Sequence, residues 1–243
     1  STVVLVFFQA EAGIRSNLPC LEFRRVLFRS LRFNLPVFIE QHPAAGLLAE
    51  MLFGSTDAGG TQMYLSFNPT LRASFSLNGV IYQSPGGSAG DIGKILVSDA
   101  PDPRLNRHLS LNDYVSLNGL AFQALRLQPS HWDLTTTGGE VLQAASDGDP
   151  YALELLERAA KMLGDNLAPL IHLLRPRQIT IGYPISLVAA NFLPPLRAAA
   201  AAASGLGGLE LPQFTASQFG HRQPELEALS PARSALRLRA SSR

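Results

Sequence analysis

Cysteine is almost missing: Cys20 is the single thiol in the chain. One sulfur builds neither a disulfide framework nor a cysteine-rich zinc site, so no structural zinc and a reducing, cytoplasmic setting are expected. Charge of one sign is not in excess either. The 20 Lys and Arg face 19 Asp and Glu, for a net charge of +1, which excludes the dominant basic face that coating a nucleic acid requires. Long apolar runs are lacking too. VVLVFF near the start is far too short to span a bilayer, no signal-peptide pattern surrounds it, and Ala198 to Ala203 lacks hydrophobic length. No membrane partner is expected. What the chain does have is 46% hydrophobic residues over 243 positions, enough for the core of one large domain or two small ones.

Two stretches stand apart from the rest. EFRRVLFRS, Glu22 to Ser30, is what GAG TTC AGA CGT GTG CTC TTC CGA TCT encodes, and those codons resemble a common sequencing-library adapter. The hypothesis is that residues 21–30 are an assembly artefact; a different codon string in the nucleotide read would remove it. From His221 onward five Arg stand against two Glu. This basic tail, 221–243, is read as a solvated or disordered end, with the look of a shifted frame. Ser1 is not an initiator, so the chain reads as a fragment.

Between these stretches the pattern is mixed α/β. STVVLVFFQ and LPVFIE read as buried strands, being β-branched and aromatic without helical spacing. PAAGLLAEMLF reads as a helix with Pro43 in its first turn, closed by Gly54. QMYLSF and RASFSL are strands. Asn78-Gly79 predicts a tight hairpin, because both central positions of a type I′ turn need positive φ. A long helix follows from Pro150, capped by Asp149, with Leu155, Ala159, Leu163, Leu167, Leu170, Ile171 and Leu174 at three- and four-residue steps. RQITIGYPI is then a strand, SLVAANFLPPLRAAAAAA a helix and LELPQFTAS a last strand.

The usual sites of chemistry are thin. The five histidines, His42, His108, His131, His172 and His221, include no pair at ligand spacing, and His172 reads as a packed, hydrogen-bonded residue. GLGG, Gly205 to Gly208, reads as a helix stop. DAGGT, Asp57 to Thr61, resembles the phosphate hairpin of actin-like sugar kinases. That signature must follow a strand; here it follows a helix and reads as a loop.

The composite signal is more specific. PVFIEQHPAAGLLAE followed by YLSFNPTLRASFSLNGVIYQSPGGSAGDIGKILV, and later GDPYALELLERAAKMLGDNLAPLIHLLRPRQITIGYPI, resemble the ROK family of sugar-responsive repressors and sugar kinases. The resemblance runs from about Leu35 to about Gly220. It implies an actin-like, ribonuclease H-like ATPase fold, with a cleft that holds the sugar and, in kinases, ATP with magnesium. Residues 1–34 would be a remnant of the N-terminal lobe, 35–58 an inter-lobe strand and helix, and 59–220 the larger C-terminal lobe. The family's catalytic carboxylate falls on His42, after Glu40 and Gln41. Its sugar-binding Glu and His fall on Asp91 and Lys94, so the implied ligand-binding positions are Glu40, Gln41, His42, Asp91 and Lys94. The Ser84 to Gly90 loop would be the sugar-side wall.

Where the family has a glycine-rich phosphate loop, this chain has Asn68-Pro69-Thr70-Leu71-Arg72-Ala73-Ser74. Glycines let the backbone approach phosphate and donate N–H bonds; Pro69 removes a donor and Leu71 and Arg72 add bulk. The family's zinc motif is missing between Lys94 and Ser110, and its Ile-Gly-Gly turn has become Ile181-Gly182-Tyr183. Each lost element of such a site typically costs about 2–4 kcal/mol of barrier. The reading is therefore a sugar-sensing effector domain of a ROK-type transcriptional regulator, without cofactor or phosphoryl transfer, whose DNA reader would lie upstream of Ser1. Its ligand would be a small sugar or sugar phosphate, and its assembly a homodimer. A hexose or N-acetylhexosamine kinase using ATP, and a non-functional chimeric fragment, are the alternatives.

Overall fold

The computed structural model describes residues 4–5, 37–38, 42–54, 59–84, 90–97, 101–103, 105–205 and 210–241. Strands β1 (Val4–Leu5) and β2 (Val37–Phe38) pair in parallel. Helix α1 (His42–Phe53) leads to β3 (Gln62–Ser66), β4 (Arg72–Leu77) and β5 (Val80–Ile81). Helices α2 (Asn112–Val115), α3 (Leu117–Leu127), α4 (Gly138–Ser146) and α5 (Pro150–Leu174) follow. Then come β6 (Gln178–Ile181), α6 (Ala189–Ser204), β7 (Gln213–Ala216) and α7 (Gln223–Ser241). The main sheet has the order β5-β4-β3-β6-β7, antiparallel through β3–β4–β5 and parallel through β3–β6–β7.

Local sequence explains most of these elements. Asn78 and Gly79 take φ of 52° and 79°, the double positive that the hairpin requires. Tyr82, just past β5, stacks on Phe75 with ring centroids 4.9 Å apart. Asp149 caps α5 by accepting from the Ala152 N–H at 2.8 Å, with Pro150 in the first turn. Its stripe Leu155, Ala159, Leu163, Leu167 and Ile171 is buried. Gly164 lets α6 lie close against α5: a Cβ there would sit 2.7 Å from the Leu196 carbonyl oxygen. His172 departs from the expected packed position. It is exposed, and its Nε2–H donates to the Ser204 carbonyl at 2.8 Å.

The two faces of the sheet differ. Met63 and Leu65 on β3, with Ile179 and Ile181 on β6, face α5 and α6 and form the apolar core with Phe192 and Leu196. Burying side chains of this size contributes about 1.5–3 kcal/mol each, which is why this layer dominates the fold. Residues 185–204 are long and apolar enough, by length and composition, to cross a membrane. Phe192, Leu196 and Ala200 from that segment are buried in the core, Leu196 and Ala200 beside Gly164 of α5 and Phe192 against Phe67. The opposite face carries Gln62, Tyr64, Ser66, Ser74, Ser76 and Thr180, all buried and all polar or hydroxyl-bearing. Helices α1 and α7 cover it.

Helix α7 corrects the expected solvated or disordered tail. Gln223, Glu227 and Ser230 are buried at 2%, 2% and 0% exposure. The Ser230 hydroxyl donates to the Ala45 carbonyl at 3.0 Å, tying α7 to α1. Composition hid this helix, because its contacts to α1 are polar and lie far away in the sequence.

Candidate functional site

The site is built where the start of α1 meets the end of β3. Tyr64 is packed there by two glycines. A Cβ on Gly46 would lie 2.4 Å from Tyr64 Cε1, and one on Gly182 would lie 2.2 Å from its hydroxyl. Only hydrogen at both positions lets the ring reach Glu227. The Tyr64 hydroxyl donates to Glu227 Oε1 at 3.0 Å, and Gln223 Nε2 donates to the same oxygen at 2.7 Å. Gln223 Oε1 in turn accepts from the Tyr183 N–H at 2.9 Å, which fixes the chain after β6.

His42 completes the network. Its Nε2 lies 3.0 Å from Glu227 Oε2 and its Nδ1 lies 2.9 Å from Ser66 Oγ. A carboxylate only accepts, so Nε2 carries the proton; a neutral ring then accepts the Ser66 hydroxyl proton at Nδ1. Glu227 and Ser66 together orient this ring. Burial pushes the Tyr64 hydroxyl pKa well up, and the Glu227 charge adds to it. Glu50, further along α1, is also raised, first by burial and then by the Glu227 charge, against a hydrogen bond from Ser217.

Asp91 belongs to a second, adjoining cluster. Its Oδ1 lies 2.7 Å from Arg72 Nε and its Oδ2 accepts from Lys94 Nζ at 2.6 Å. The Arg72 contact is close but off the N–H direction, because Arg72 Nε makes no hydrogen bond; it is an ion pair. Ser66 and Arg72 are directly opposite in the β3–β4 ladder, so their side chains share a sheet face. That pair places the strand partners of His42 and of Asp91, Ser66 and Arg72, side by side. Lys94 is 63% exposed, and its link to Asp91 contributes little against solvent. Glu40, Gln41, Asp57 and residues 85–89 of the glycine loop lie outside the described residues.

The segment in the phosphate-loop position is closed by its own bonds. The buried Leu71 N–H donates to Asn112 Oδ1 at 2.7 Å, and the Ala73 N–H donates to the Gly90 carbonyl at 2.7 Å. Gly90 sits at φ 86°, and a Cβ on it would fall 1.8 Å from the Ala73 carbonyl oxygen. Glycine is thus required at position 90 for contact with β4, quite apart from any ligand. Among the described residues no group of three or more His, Cys, Asp or Glu is placed to hold a metal ion.

Sequence reasoning missed Glu227, Tyr64, Ser66 and the pairing role of Arg72. The one signal available was the alternation Gln62, Tyr64, Ser66 on a strand whose other face is apolar.

Comparison with known proteins agrees with this architecture. A family model described as the ROK family matches residues 28–228. A xylose repressor from Caldicellulosiruptor bescii is 25% identical over 202 residues, covering 78% of this chain and 51% of that protein. A glucokinase from Halalkalibacterium halodurans is 26% identical over 176 residues, covering 68% of this chain and 53% of that protein. The chain therefore spans about half the length of these curated relatives. Among solved structures, a ROK family transcriptional regulator homologous to the E. coli MLC protein superposes with a TM-score of 0.72 at 21% identity, covering 87% of this chain and 55% of that one. The ROK glucokinase of Streptomyces griseus, in complex with glucose and AMPPNP, gives a TM-score of 0.68 at 22% identity, covering 82% and 69%. The fold is the actin-like ATPase fold of these sugar kinases.

Proposed function

The chain belongs to the ROK family, and from that premise we propose that it is a sugar-sensing effector domain of a transcriptional regulator which transfers no phosphate. One observation carries this reading: the backbone at the phosphate-loop position is committed to the protein itself, through Leu71 to Asn112 and Ala73 to Gly90. A nucleotide triphosphate needs those N–H groups pointing at it. His42 adds support. Both ring nitrogens are engaged, by Glu227 and Ser66, so no lone pair faces a sugar hydroxyl as a base would need.

A sensor needs only differential affinity for a ligand. Asp91 and Lys94, together with His42, are the residues proposed to hold a small sugar or sugar phosphate; Glu40 and Gln41 are assigned with them on sequence alone. In this reading the working site uses neither ATP, magnesium nor zinc, and the protein acts in the cytoplasm as a homodimer. Residues 59–220 are taken as the C-terminal lobe and 35–58 as the connection between lobes, with DNA contact supplied from outside residues 1–243. The kinase reading draws on the glucokinase relative. The test is incubation with ATP, magnesium and a panel of hexoses and pentoses. The expected result is no ADP above background and a rise in melting temperature with at least one sugar. Steady ADP formation would overturn the proposal in favour of a kinase.

A further inference from the structure

The polar face of the sheet opens into a second cleft, two turns of α1 beyond His42. It has a volume of about 480 Å³ and runs between the end of α1 and strands β6 and β7, a size typical of small-molecule sites. Glu50, Gln178, Gln213, Thr215 and Gln218 line it, with the Phe53 and Phe219 rings at its sides. Eight residues of helix separate Glu50 from His42, about 12 Å along the axis, so this cleft is not the His42–Asp91 site.

Its polar groups are pre-arranged. Gln178 Nε2 donates to Thr180 Oγ1 at 3.1 Å and to Thr215 Oγ1 at 2.9 Å, and the two hydroxyls are 3.3 Å apart. Thr180 is 4% exposed and does not line the cleft. A buried hydroxyl must place its proton, and Thr215 Oγ1 is the acceptor that this ladder offers it. The Thr215 proton and the Gln178 amide oxygen, which bonds neither threonine, then remain for the cleft: one donor beside one acceptor, as a pair of adjacent hydroxyls requires. Gln213 and Gln218 are exposed and add two adaptable amides. The Phe53 ring is held under the Arg233 guanidinium, 4.7 Å from its centroid.

The charge pattern narrows the ligand. No Lys or Arg occurs among the described residues that line the cleft. The end of α1 turns partial negative charge toward it, and burial biases Glu50 toward its uncharged form. Phosphorylated and carboxylated ligands are disfavoured. We propose that this cleft is a second binding site, for an uncharged saccharide of one or two rings held by Gln178, Thr215 and Gln218. The inference goes beyond the sensing reading and does not depend on it.

Equilibrium dialysis of the full chain against labelled D-glucose, D-xylose and glucose 6-phosphate tests it. Variants are Thr215→Val and Gln218→Ala in the cleft and Asp91→Asn outside it. Gln218 is exposed, so its variant keeps the test available if Thr215→Val fails to fold. The expected result is a component of neutral-sugar binding, separate from any at Asp91, that survives Asp91→Asn, weakens about tenfold in each cleft variant, and has no counterpart with glucose 6-phosphate. Affinities within twofold of wild type in both cleft variants would overturn the cleft site. Binding abolished by Asp91→Asn alone would also overturn it, while supporting the sensing site. Binding abolished by the cleft variants alone would support the cleft and remove Asp91 from the sensing reading. No binding of any sugar to the unmodified chain would overturn both.

Discussion

Glu227, on the last helix, meets His42, at the start of the first, at 3.0 Å, and holds Tyr64 and Gln223 with its other oxygen. This carboxylate is 2% exposed and receives a donor on both oxygens. A buried charge so paired is weak evidence of net stability, but removing it leaves its partners stranded.

Replacing Glu227 by Leu should therefore destabilise the protein by about 2–4 kcal/mol, because the Tyr64 hydroxyl and the His42 N–H lose their acceptor in a dry site. Glu227→Gln retains an acceptor oxygen and should cost about half as much. Urea denaturation of the two variants checks the order; a Leu variant as stable as wild type would show that α7 is not docked as described.

Glu50 makes a pH prediction whose sign follows from its raised pKa. The folded state favours the protonated acid, so ionisation opposes folding. That penalty is absent below the usual value of 4.5 and is complete once pH exceeds the folded value. Glu50→Gln removes it, so the variant should gain on wild type as pH rises from about 4 to about 7. Urea midpoints across that range are the measurement, and a constant difference between the two proteins would sink the assignment.

Two glycine substitutions should move in opposite directions. A Cβ on Gly182 meets the Tyr64 hydroxyl at 2.2 Å and the Leu65 carbonyl oxygen at 2.7 Å. Gly182→Ala should cost about 1–3 kcal/mol through overpacking. Gly139, exposed in the first turn of α4, has only Thr137 Oγ1 nearby, at 3.8 Å. Gly139→Ala should stabilise by about 0.5–1 kcal/mol. Thermal melts of both variants decide the matter.

Asn112→Ala should leave the buried Leu71 N–H without its acceptor and cost about 1–3 kcal/mol. The same variant should still fail to bind a fluorescent ATP analogue, since Pro69 and the Ala73–Gly90 bond remain. Nucleotide binding gained by this single change would show that Asn112 alone closes the loop.

Much of the fold was legible because it is written locally. The Asn78-Gly79 turn, the Asp149 cap and the apolar stripe of α5 each depend on residues a few positions apart. The site was legible only in part. His42 and Asp91 stand out by position in the motif, yet their partners do not: Tyr64 and Glu227 are 163 positions apart, and nothing in either neighbourhood announces the other. The tail misled because the apolar residues of α7 are spread around the helix and form no single stripe. It docks through Gln223, Glu227 and Ser230, and polar docking of this kind has no periodic hydrophobic signature.

Because the first helix waits for the last, order of synthesis matters. A ribosome that stalls before Gln223 releases a chain with all five strands of its main sheet but with Tyr64 and His42 facing water. Such a product would carry an open polar trough where the finished molecule is shut, and proteases of the quality-control system would find it there first.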